Sequence, residues 1–350
     1  MVADTHPEAG PVGLDLDRLT HFLDTAVGLA GPLRASLVAG GRSNLTYRLT
    51  DGHGDWVLRR PPVGHVLPTA HDMAREYRAI EALHGSAVPV PAPVLLCQDR
   101  EILGADFYLM ERVEGPVLRG AGDTAALPPD VAARCARQLV DVLAALHRTD
   151  PAVLDGFGRP EGFVARQVSR WARQWSLSAT RELPSFDELV GALERAVPPA
   201  QRAAVVHGDY RLDNVIFGPD AQGAPDGVAA VIDWEMSTLG DPLTDLGLLL
   251  VYWDERTERV TGTRHAVGAN PGFPGRRELA DAYAAASGLD LSALAFYVAF
   301  GYFKLAVIAE GIHARFLAGQ TVGEGFDSAG AAVPGLVESA LAALRSGDWS

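Results

Sequence analysis

Hydrophobic and polar positions repeat with two different periods along the chain. From Leu33 to Gly115, short apolar or β-branched segments are separated by Gly and Asp turns, a pattern typical of strands. Within this region, residues 71–83 carry apolar side chains every three or four positions and are predicted to form a helix. The predicted strands are residues 33–41, 44–51, 55–60, 89–98 and 105–115. The predicted order is three strands, a helix and two further strands, and a turn around Asp99–Arg100 joins the last two. This order predicts a small antiparallel sheet with one helix.

The pattern becomes mostly helical after Gly115. Residues 203–217 are predicted to form a strand, a polar loop and a strand, and residues 227–236 a further strand that ends in acids. Helical periods cover residues 130–148, 160–200, 244–253, 276–287, 291–317 and 333–346. We therefore predict an α+β fold of two lobes. Its parts are an N-terminal extension (1–32), a small β-rich N-lobe (33–113) and a larger, mostly helical C-lobe (114–350).

The acidic composition argues against some classes of binding partner. The chain has 350 residues, with 44 Asp and Glu against 30 Lys and Arg, a formal net charge of −14 and 48% hydrophobic residues. Nucleic-acid binding generally needs a basic surface, so nucleic acid is not expected as a partner. Two cysteines are too few for a disulfide framework, and the acidic N-terminus lacks an apolar signal segment. We expect a soluble, cytoplasmic protein.

One apolar segment, Leu291 to Ala309, is a candidate membrane-spanning helix by its composition. Gly301 and Lys304 interrupt it, whereas a span needs about 20 predominantly apolar residues, so a buried core helix is expected instead. Lys304 is also the only lysine among the 30 basic residues. Because the chain has no G-x-x-x-x-G-K-[ST] run either, Schiff-base chemistry and a Walker-A phosphate site are not expected.

Polar residues with catalytic potential lie at the ends of the strands near residue 210. His207 and Asp209 follow an apolar strand, Asn214 lies five positions after Asp209, and Asp233 ends the next predicted strand. Such a hairpin would bring Asp209, Asn214 and Asp233 to one end of a sheet. Carboxylate and amide oxygens suit Mg²⁺, and phosphoryl transfer needs a metal on the phosphates and a positioned base. We predict that Asp209 acts on a hydroxyl and that Asn214 and Asp233 hold Mg²⁺.

The tripeptide His-Gly-Asp alone is common in turns, and a lone Asp at a strand end is usually a cap. The longer combination H-x-D-x-x-x-x-N, followed by a strand and a second Asp, is more specific and resembles the catalytic loop and metal-binding hairpin of protein kinases. The form HGDYRLDN…VIDWEMSTLGDPLTDLG is similar to the aminoglycoside phosphotransferase and choline kinase family, over about residues 33–317. This resemblance implies a bilobal protein-kinase-like fold and a phosphotransferase with an alcohol group as acceptor.

The resemblance also implies roles for individual residues. Asp209 would be the catalytic base, and Asn214 and Asp233 the Mg²⁺ ligands. Asp245, in the segment TDLG, matches the family's structural acid, which braces the catalytic loop. His207 is more often structural in the family, where it supports the loop through hydrogen bonds.

Enzymes of this kind carry a basic group on the third strand of the small lobe, paired with an acid on its helix. The third predicted strand ends in Arg59 and Arg60 and has no lysine. Strand alternation places Arg59 on the face opposite Leu58, and we predict that Arg59 contacts the nucleotide phosphates. Glu76 interrupts the apolar stripe of the predicted helix, and a buried acid needs a cationic partner. We therefore predict an Arg59–Glu76 pair; a solvated Glu at the stripe edge is the alternative.

A phosphate-covering loop is predicted between the first two strands. It contains Gly40, Gly41 and Ser43, and glycines allow the backbone to approach an anion closely. The loop lacks a G-x-G-x-x-G pattern, and many hairpins need similar residues for the turn alone. Its position between two strands supports the prediction.

The junction of the two lobes is predicted to meet the nucleotide base. The resemblance implies Met110 as the gate residue, with backbone contacts from Glu111 and Val113. Backbone contacts leave no side-chain signature, so GTP remains an alternative to ATP. ATP and Mg²⁺ are the cofactors predicted.

A cationic stripe is predicted on the helix after residue 160. Arg166, Arg170 and Arg173 are spaced i, i+4 and i+7, so they share one helix face. The stripe is either a solvated face paired with nearby acids or a recognition site for an anionic substrate. Several phrases, among them VLRRPP and RQVSRWARQW, also resemble the kinase-like domain fused to acyl-CoA dehydrogenases, which implies a hydroxy acid or hydroxyacyl-CoA as substrate.

Three functions are therefore compared. The first is a small-molecule kinase that acts on a hydroxylated anionic substrate. The second is an aminoglycoside antibiotic phosphotransferase, which the net charge of −14 favours because aminoglycosides are polycations. The third is a non-catalytic nucleotide-binding module, favoured by arginine in place of lysine on the third strand but opposed by the complete set of Asp209, Asn214 and Asp233.

Overall fold

The chain is described by a computed structural model over residues 11–38, 44–63, 72–262, 264–319 and 328–350. It divides into two units, each described by itself below. Unit 1 comprises residues 1–84 and 90–113, and unit 2 comprises residues 85–89 and 114–350. The α+β fold predicted from the sequence is confirmed, with a five-stranded antiparallel sheet in unit 1 and mostly helices in unit 2.

Unit 1 has the predicted order of three strands, a helix and two strands. Its elements are α1 (Leu16–Val27), β1 (Arg34–Leu37), β2 (Leu45–Thr50), β3 (Asp55–Arg60), α2 (Met73–Leu83), β4 (Pro93–Cys97), α3 (Arg100–Leu103) and β5 (Phe107–Glu111). The strands pair antiparallel in the order β1-β2-β3-β5-β4. The sequence predicts a turn at Asp99–Arg100, but the short helix α3 lies there, because the Asp99 carboxylate accepts the N–H of Glu101 at 2.9 Å and caps it.

The core of unit 1 follows from the two periodicities. Tyr47 and Leu49 alternate with the exposed Arg48 along β2, and both are fully buried. Leu19 and Leu23, four positions apart on α1, enter the same core at zero exposure. Strand β3 lies between β2 and β5 beside this core, and it carries the basic residue Arg59.

Unit 2 is built from helices around two small strand pairs. Its elements are α4 (Ala121–Thr124), α5 (Pro129–Arg148), α6 (Phe163–Ser178), α7 (Pro184–Ala196), β6 (Ala204–Val206), β7 (Val215–Pro219), β8 (Pro225–Val231), β9 (Thr238–Gly240), α8 (Leu243–Tyr252), α9 (Glu258–Thr261), α10 (Arg276–Ser287), α11 (Leu294–Leu317) and α12 (Ala329–Ser346). Short 3₁₀ helices cover Pro151–Leu154, Leu212–Asn214, Trp234–Met236 and Glu255–Thr257. The predicted helical run 160–200 is two helices, because Pro184 starts a new one at its first position.

The strands around the polar loop do not form one sheet, so the prediction that a single sheet end collects the site is wrong. β6 pairs with β9, and β7 pairs with β8, in two separate two-stranded sheets. Sequence periodicity misses β9 because a three-residue strand is too short to show alternation. The loop 207–214 therefore passes from one sheet to the other.

Helix α11 is the core helix that the sequence predicts. Among the described helices, it is the one long and apolar enough to cross a membrane, and 83% of its most apolar window is buried inside the unit. It packs against α8 and α12. At Gly247 of α8, an added Cβ would lie 2.3 Å from the carbonyl oxygen of Tyr297, so glycine lets the two helices approach closely.

Candidate active site

The loop after β6 depends on glycine at its second position. Gly208 has φ +86°, in the left-handed region that L-residues rarely adopt. An added Cβ would also lie 2.6 Å from the carbonyl oxygen of Met236. The tight turn at Gly208 carries the chain from His207 to Asp209.

Asp245, in the first turn of α8, braces this loop from behind. Its carboxylate accepts the backbone N–H of His207 at 2.7 Å and that of Gly208 at 2.8 Å. It also lies 3.2 Å from Nε2 of His147, whose Nδ1 lies 2.6 Å from the Tyr283 hydroxyl. Burial alone would raise the pKa of Asp245, but the hydrogen bond and charge of His147 outweigh it and lower that pKa. The loop is thus attached to a buried, ionised carboxylate.

Both ring nitrogens of His207 have structural partners. Nε2 lies 2.9 Å from the carbonyl oxygen of Ile232, and Nδ1 accepts the backbone N–H of Asp209 at 3.2 Å. The ring centroid lies 4.7 Å from that of Trp234. His207 therefore links the catalytic loop to the end of β8 and has no ring nitrogen left for a ligand.

Asp209 lies at the centre of the loop with each carboxylate oxygen held separately. Oδ1 accepts the hydroxyl of Tyr252 at 3.1 Å, and Oδ2 accepts the amide of Asn214 at 3.1 Å. The same amide donates to the Asp209 backbone carbonyl at 2.8 Å. Nε of Arg211 lies 3.5 Å from Oδ2. Each carboxylate oxygen has a second lone pair, so one side of Asp209 can still accept a proton.

Two residues beside Asp209 were not predicted from the sequence. The guanidinium of Arg211 lies 4.8 Å from the Tyr252 ring centroid and 3.4 Å from the carboxylate of Asp213. Burial, and then the Asp209 charge, raise the pKa of the Tyr252 phenol, so its hydroxyl remains a proton donor. Arg211 lies within the loop motif and could have been noticed there. Tyr252 carries no such signal, because it lies 43 positions after Asp209.

Asn214 and Asp233 lie side by side at the ends of β7 and β8. Val215 pairs with Val231, and the N–H of Ile232 donates to the Asn214 carbonyl at 2.9 Å. Asp233 has φ 67°, and in the described part of the chain it is the only non-glycine residue with a positive φ. Such strain is typical of functional sites.

The donor set at this position suits Mg²⁺. The amide nitrogen of Asn214 is bound to Asp209, which leaves the amide oxygen as a potential ligand, and the Asp233 carboxylate is the second predicted ligand. Within the residues that the structure describes, no group of three or more His, Cys, Asp and Glu could hold a metal. Mg²⁺ commonly takes only one or two protein ligands and completes its shell with water and phosphate oxygens. The residues therefore fit a phosphate-bound Mg²⁺.

The predicted ion pair in unit 1 is present. Nε of Arg59 lies 3.2 Å from Oε2 of Glu76, and Glu76 is 1% exposed. The same Oε2 accepts the Tyr108 hydroxyl, and Oε1 accepts the Asn44 amide, both at 2.9 Å. Arg59 pairs with Tyr108 across β3 and β5, so both side chains lie on the face that α2 covers. Glu76 is thus a buried acid that contacts Arg59, Asn44 and Tyr108, and not a solvated residue.

The neighbouring Arg60 has a different role. Its guanidinium donates to the backbone carbonyls of Gly13 and Leu103, the latter at 3.0 Å. Successive strand residues face opposite sides of a sheet. Arg59 is therefore the arginine that faces Glu76, as the alternation predicts.

The other predicted nucleotide contacts in unit 1 are only partly described. Gly40, Gly41 and Ser43 lie outside the described residues. Met110 is buried on β5, and Val113 is half-buried just after it. The N–H of Glu111 donates to the Ala92 carbonyl at 2.8 Å and is therefore already engaged.

The three arginines of α6 have different surroundings. Arg166 donates to the backbone carbonyls of Arg159 and Glu161, a structural arrangement at the start of the helix. Arg170 and Arg173 are exposed. Arg170 is close enough to Lys304 of α11 for its charge to act on that ammonium group.

Comparisons with known proteins place the chain in a family. The model of a family described as "Phosphotransferase enzyme family" matches residues 34–297. Acyl-CoA dehydrogenase family member 11 of Rattus norvegicus is 38% identical over 290 residues, which cover 81% of this chain and 37% of that protein. The chain thus spans less than two fifths of this relative's length.

Solved structures share the fold. A structure from Ralstonia eutropha, described as a "putative aminoglycoside phosphotransferase", has a TM-score of 0.80 and 31% identity, covering 95% of this chain and 98% of that chain. The aminoglycoside phosphotransferase APH(4)-Ia, in a ternary complex with AMP-PNP and hygromycin B, has a TM-score of 0.61 and 18% identity, covering 95% and 99%. The protein-kinase-like fold predicted from the sequence is confirmed.

Proposed function

Because this chain belongs to the phosphotransferase enzyme family, we propose that it transfers the γ-phosphoryl group of ATP to a hydroxyl of a small anionic acceptor, a hydroxy acid or hydroxyacyl-CoA. The family and the fold account for a small-molecule kinase activity. We further propose that the phosphoryl donor is ATP, that the reaction needs Mg²⁺ and that the acceptor is anionic. The rat relative is named as an acyl-CoA dehydrogenase, which favours an acyl-CoA acceptor over an antibiotic.

The cations beside Asp209 carry the proposal. Lys304 is 6% exposed, and the charges of both Asp209 and Arg170 act on its ammonium. Among the residues that the structure describes, no carboxylate lies within ion-pair distance of Lys304 or Arg170. Arg170 repels the Lys304 ammonium in the free protein, and a bound carboxylate or phosphate would relieve that repulsion. A polycationic acceptor would add to the repulsion.

In the proposed reaction, the acceptor oxygen attacks the γ-phosphorus as the bond to the β-phosphate oxygen breaks. The acceptor hydroxyl gives its proton to Asp209, and ADP leaves. Tyr252 and Asn214 each hold one oxygen of Asp209, so the carboxylate keeps one orientation towards the hydroxyl. Mg²⁺, held by Asn214 and Asp233, would neutralise charge on the phosphates.

Unit 1 would supply the remaining nucleotide contacts. Arg59 would bind the phosphates, with Glu76 fixing its guanidinium. A guanidinium forks across two oxygens, whereas the lysine usual in kinases is a point charge. Met110, Glu111 and Val113 would contact the base.

The test is Mg²⁺-dependent ADP release with hydroxyacyl-CoAs, free hydroxy acids, choline and aminoglycosides as acceptors. Turnover confined to the anionic acceptors is expected. Asp209→Asn should lower kcat about 10²–10⁴-fold while nucleotide binding stays within twofold. Turnover only with aminoglycosides would contradict the anionic acceptor, and full activity of the variant would contradict the base.

A charge-reversal pair tests the cations directly. Arg170→Glu should raise KM for the anionic acceptor about tenfold and leave KM for ATP unchanged, because only the acceptor is repelled. Arg195→Glu, the same reversal at an exposed position of α7, is the matched control and should change neither constant. Equal effects of the two variants would assign Arg170 to a solvated face.

A further inference from the structure

The only lysine of the chain contacts the catalytic loop directly. Lys304 lies in the middle of α11, and its Nζ donates to the backbone carbonyl of Gly208 at 2.5 Å. The ammonium also lies 5.5 Å from the ring centroid of Trp171 on α6. A charged residue this buried within an apolar helix is costly unless its contacts compensate. The Gly208 carbonyl and the Trp171 ring are the contacts that compensate for the burial of Lys304.

The carbonyl that Lys304 holds belongs to the peptide bond leading into Asp209. The N–H of the same peptide unit donates to Nδ1 of His207 at 3.2 Å. A peptide unit is planar, so fixing its C=O and its N–H fixes the plane. That plane fixes the direction of the N–Cα bond of Asp209, so only rotation about that bond remains to set the direction of its Cα–Cβ bond. The next carbonyl, that of Asp209 itself, is held by Asn214 at 2.8 Å.

Charges of opposite sign hold Gly208 on its two sides. Its N–H donates to the Asp245 carboxylate at 2.8 Å, and its C=O accepts the Lys304 ammonium. The two charged residues come from α8 and α11. Because Gly208 has no side chain and a positive φ, its own conformation cannot keep the peptide in place, and the external contacts must do so.

A lysine suits this position better than an arginine. The acceptor is a single carbonyl oxygen, and a compact ammonium can donate to one oxygen while an aromatic ring covers it. A planar guanidinium is larger and has five donors to satisfy in a space where Lys304 is only 6% exposed. Every other cation of the chain is arginine, so composition bias does not explain this lysine.

From these contacts we propose that Lys304 is a positioning residue for phosphoryl transfer, which fixes the Gly208–Asp209 peptide and through it the Asp209 carboxylate. The proposal rests on the proposed function in that Asp209 acts on the acceptor hydroxyl. Burial, assisted by the charge of Arg170, lowers the pKa of Lys304, while Asp209 and Asp245 oppose this shift. Lys304 does not need to touch the substrate to act in this way.

Lys304→Met and Lys304→Arg test the proposal against a matched control, Glu310→Gln. Methionine keeps the length and apolar stem of lysine but removes the ammonium. Glu310 is a fully buried charge on the same helix, but it holds the backbone N–H and hydroxyl of Thr180, away from the catalytic loop. The control therefore removes a buried charge from α11 without removing a loop contact.

Two measurements separate positioning from simple stability. The first is kcat with the best acceptor: both lysine variants should lose about 10–100-fold with nucleotide Kd unchanged, and Glu310→Gln should stay within threefold. The second is hydrogen exchange of peptides covering residues 207–214, which should become at least about tenfold faster in Lys304→Met but not in Glu310→Gln. The exchange measurement needs no acceptor, so it decides the role of Lys304 even if every proposed acceptor fails.

Equal losses of kcat in Lys304→Met and Glu310→Gln, or unchanged exchange in the loop, would overturn the proposal. Should the lysine variants not fold, the native protein can be treated with cyanate, which carbamylates neutral amines. Since Lys304 is the only lysine, peptide mapping distinguishes its modification from that of the α-amino group. Activity should then fall in proportion to carbamylation of Lys304, and full activity after complete modification would refute the role.

Discussion

Asp245→Asn is the substitution that tests most directly how the catalytic loop is held. Asp245 is 1% exposed, and its two oxygens receive three donors: His207 N–H and His147 at Oδ2, and Gly208 N–H at Oδ1. Asparagine keeps the shape but has one acceptor oxygen and one NH₂ group. If the amide oxygen takes the Oδ2 position, the NH₂ group faces the N–H of Gly208, and that hydrogen bond is lost.

The expected loss of stability is about 3–6 kcal/mol. A hydrogen bond to a charged group contributes about 1.5–3 kcal/mol, and neutral ones about half of that. The variant loses one charged hydrogen bond and converts two others into neutral ones. Repulsion between the NH₂ group and the orphaned N–H of Gly208 adds to the cost.

The loss of stability in Asp245→Asn should become smaller as the pH falls. The pKa of Asp245 is lowered in the folded chain, so its carboxylate stabilises the fold above the unfolded pKa of about 3.9 and stops doing so as pH falls through the folded pKa. The difference between wild type and Asp245→Asn should be constant near pH 7 and shrink below about pH 4.

Asp241→Asn is a control for which the stability difference from wild type should change with pH in the opposite direction. Asp241 is 2% exposed, and burial raises its pKa although the Tyr297 hydroxyl donates to it at 2.7 Å. Its contribution is therefore complete below the unfolded pKa and is lost as pH rises through the folded pKa. Relative to its variant, wild type should gain stability on acidification at this position.

Urea unfolding at several pH values between 3.5 and about 7 measures both variants. Tryptophan fluorescence is a suitable signal, because five of the six tryptophans lie in unit 2 with both aspartates. A loss below about 0.5 kcal/mol for Asp245→Asn, or the same pH dependence in both variants, would refute the assignment of Asp245 as an ionised anchor of the loop.

Three further predictions concern other parts of the site. Tyr252→Phe should lower kcat about tenfold at unchanged nucleotide KM, because one oxygen of Asp209 loses its donor; an unchanged kcat in steady-state assays would contradict this. Glu76→Gln should cost about 3–5 kcal/mol in urea unfolding, since the buried Arg59 guanidinium loses the charge of Glu76, and a neutral result would remove the pair from the core. Gly208→Ala should abolish turnover, because a Cβ would meet a backbone carbonyl at 2.6 Å at a positive φ; retained turnover, with the fold checked by circular dichroism, would mean that the loop can relax.

The sequence was most informative where one physical rule decides the outcome. Alternation along β3 separates Arg59 from Arg60, and the structure has Arg59 on Glu76 and Arg60 on backbone carbonyls. Helix α10 (Arg276–Ser287) matches its predicted bounds, because its apolar period is regular and Gly288 ends it in the left-handed region. Such features are local, so a single sequence carries them.

The partners of the catalytic loop were not predictable in the same way. Tyr252 and His147 lie 43 and 98 positions from the aspartates that they contact. Hydrophobic periodicity indicates which face of a helix is buried but not which polar group a buried side chain meets. His147 ends an amphipathic helix, where a histidine beside the last carbonyls would be unremarkable. Long-range pairing has no signature in one sequence.

Short strands were not predicted, for a related reason. A strand such as β9, with three residues, shows no alternation, yet its pairing with β6 decides which sheet the catalytic loop leaves. The prediction of a single sheet end for Asp209, Asn214 and Asp233 was wrong about the sheets, yet Asn214 still meets Asp209, because it reaches from its own strand to Asp209 through its side chain. A side-chain contact replaced the backbone pairing that the prediction assumed.

The placement of charge explains how a loop of few residues can hold the Asp209 carboxylate in position. Asp245 from α8 and Lys304 from α11 hold the two sides of Gly208, so the loop's position depends on the spacing between these two helices. Gly247 lets α8 and α11 approach until a Cβ would lie 2.3 Å from the carbonyl of Tyr297. Packing rigid enough to transmit small displacements thus joins the helix contact to the loop. Residues with no contact to substrate, at the α8–α11 contact, are therefore expected to affect turnover through the orientation of Asp209.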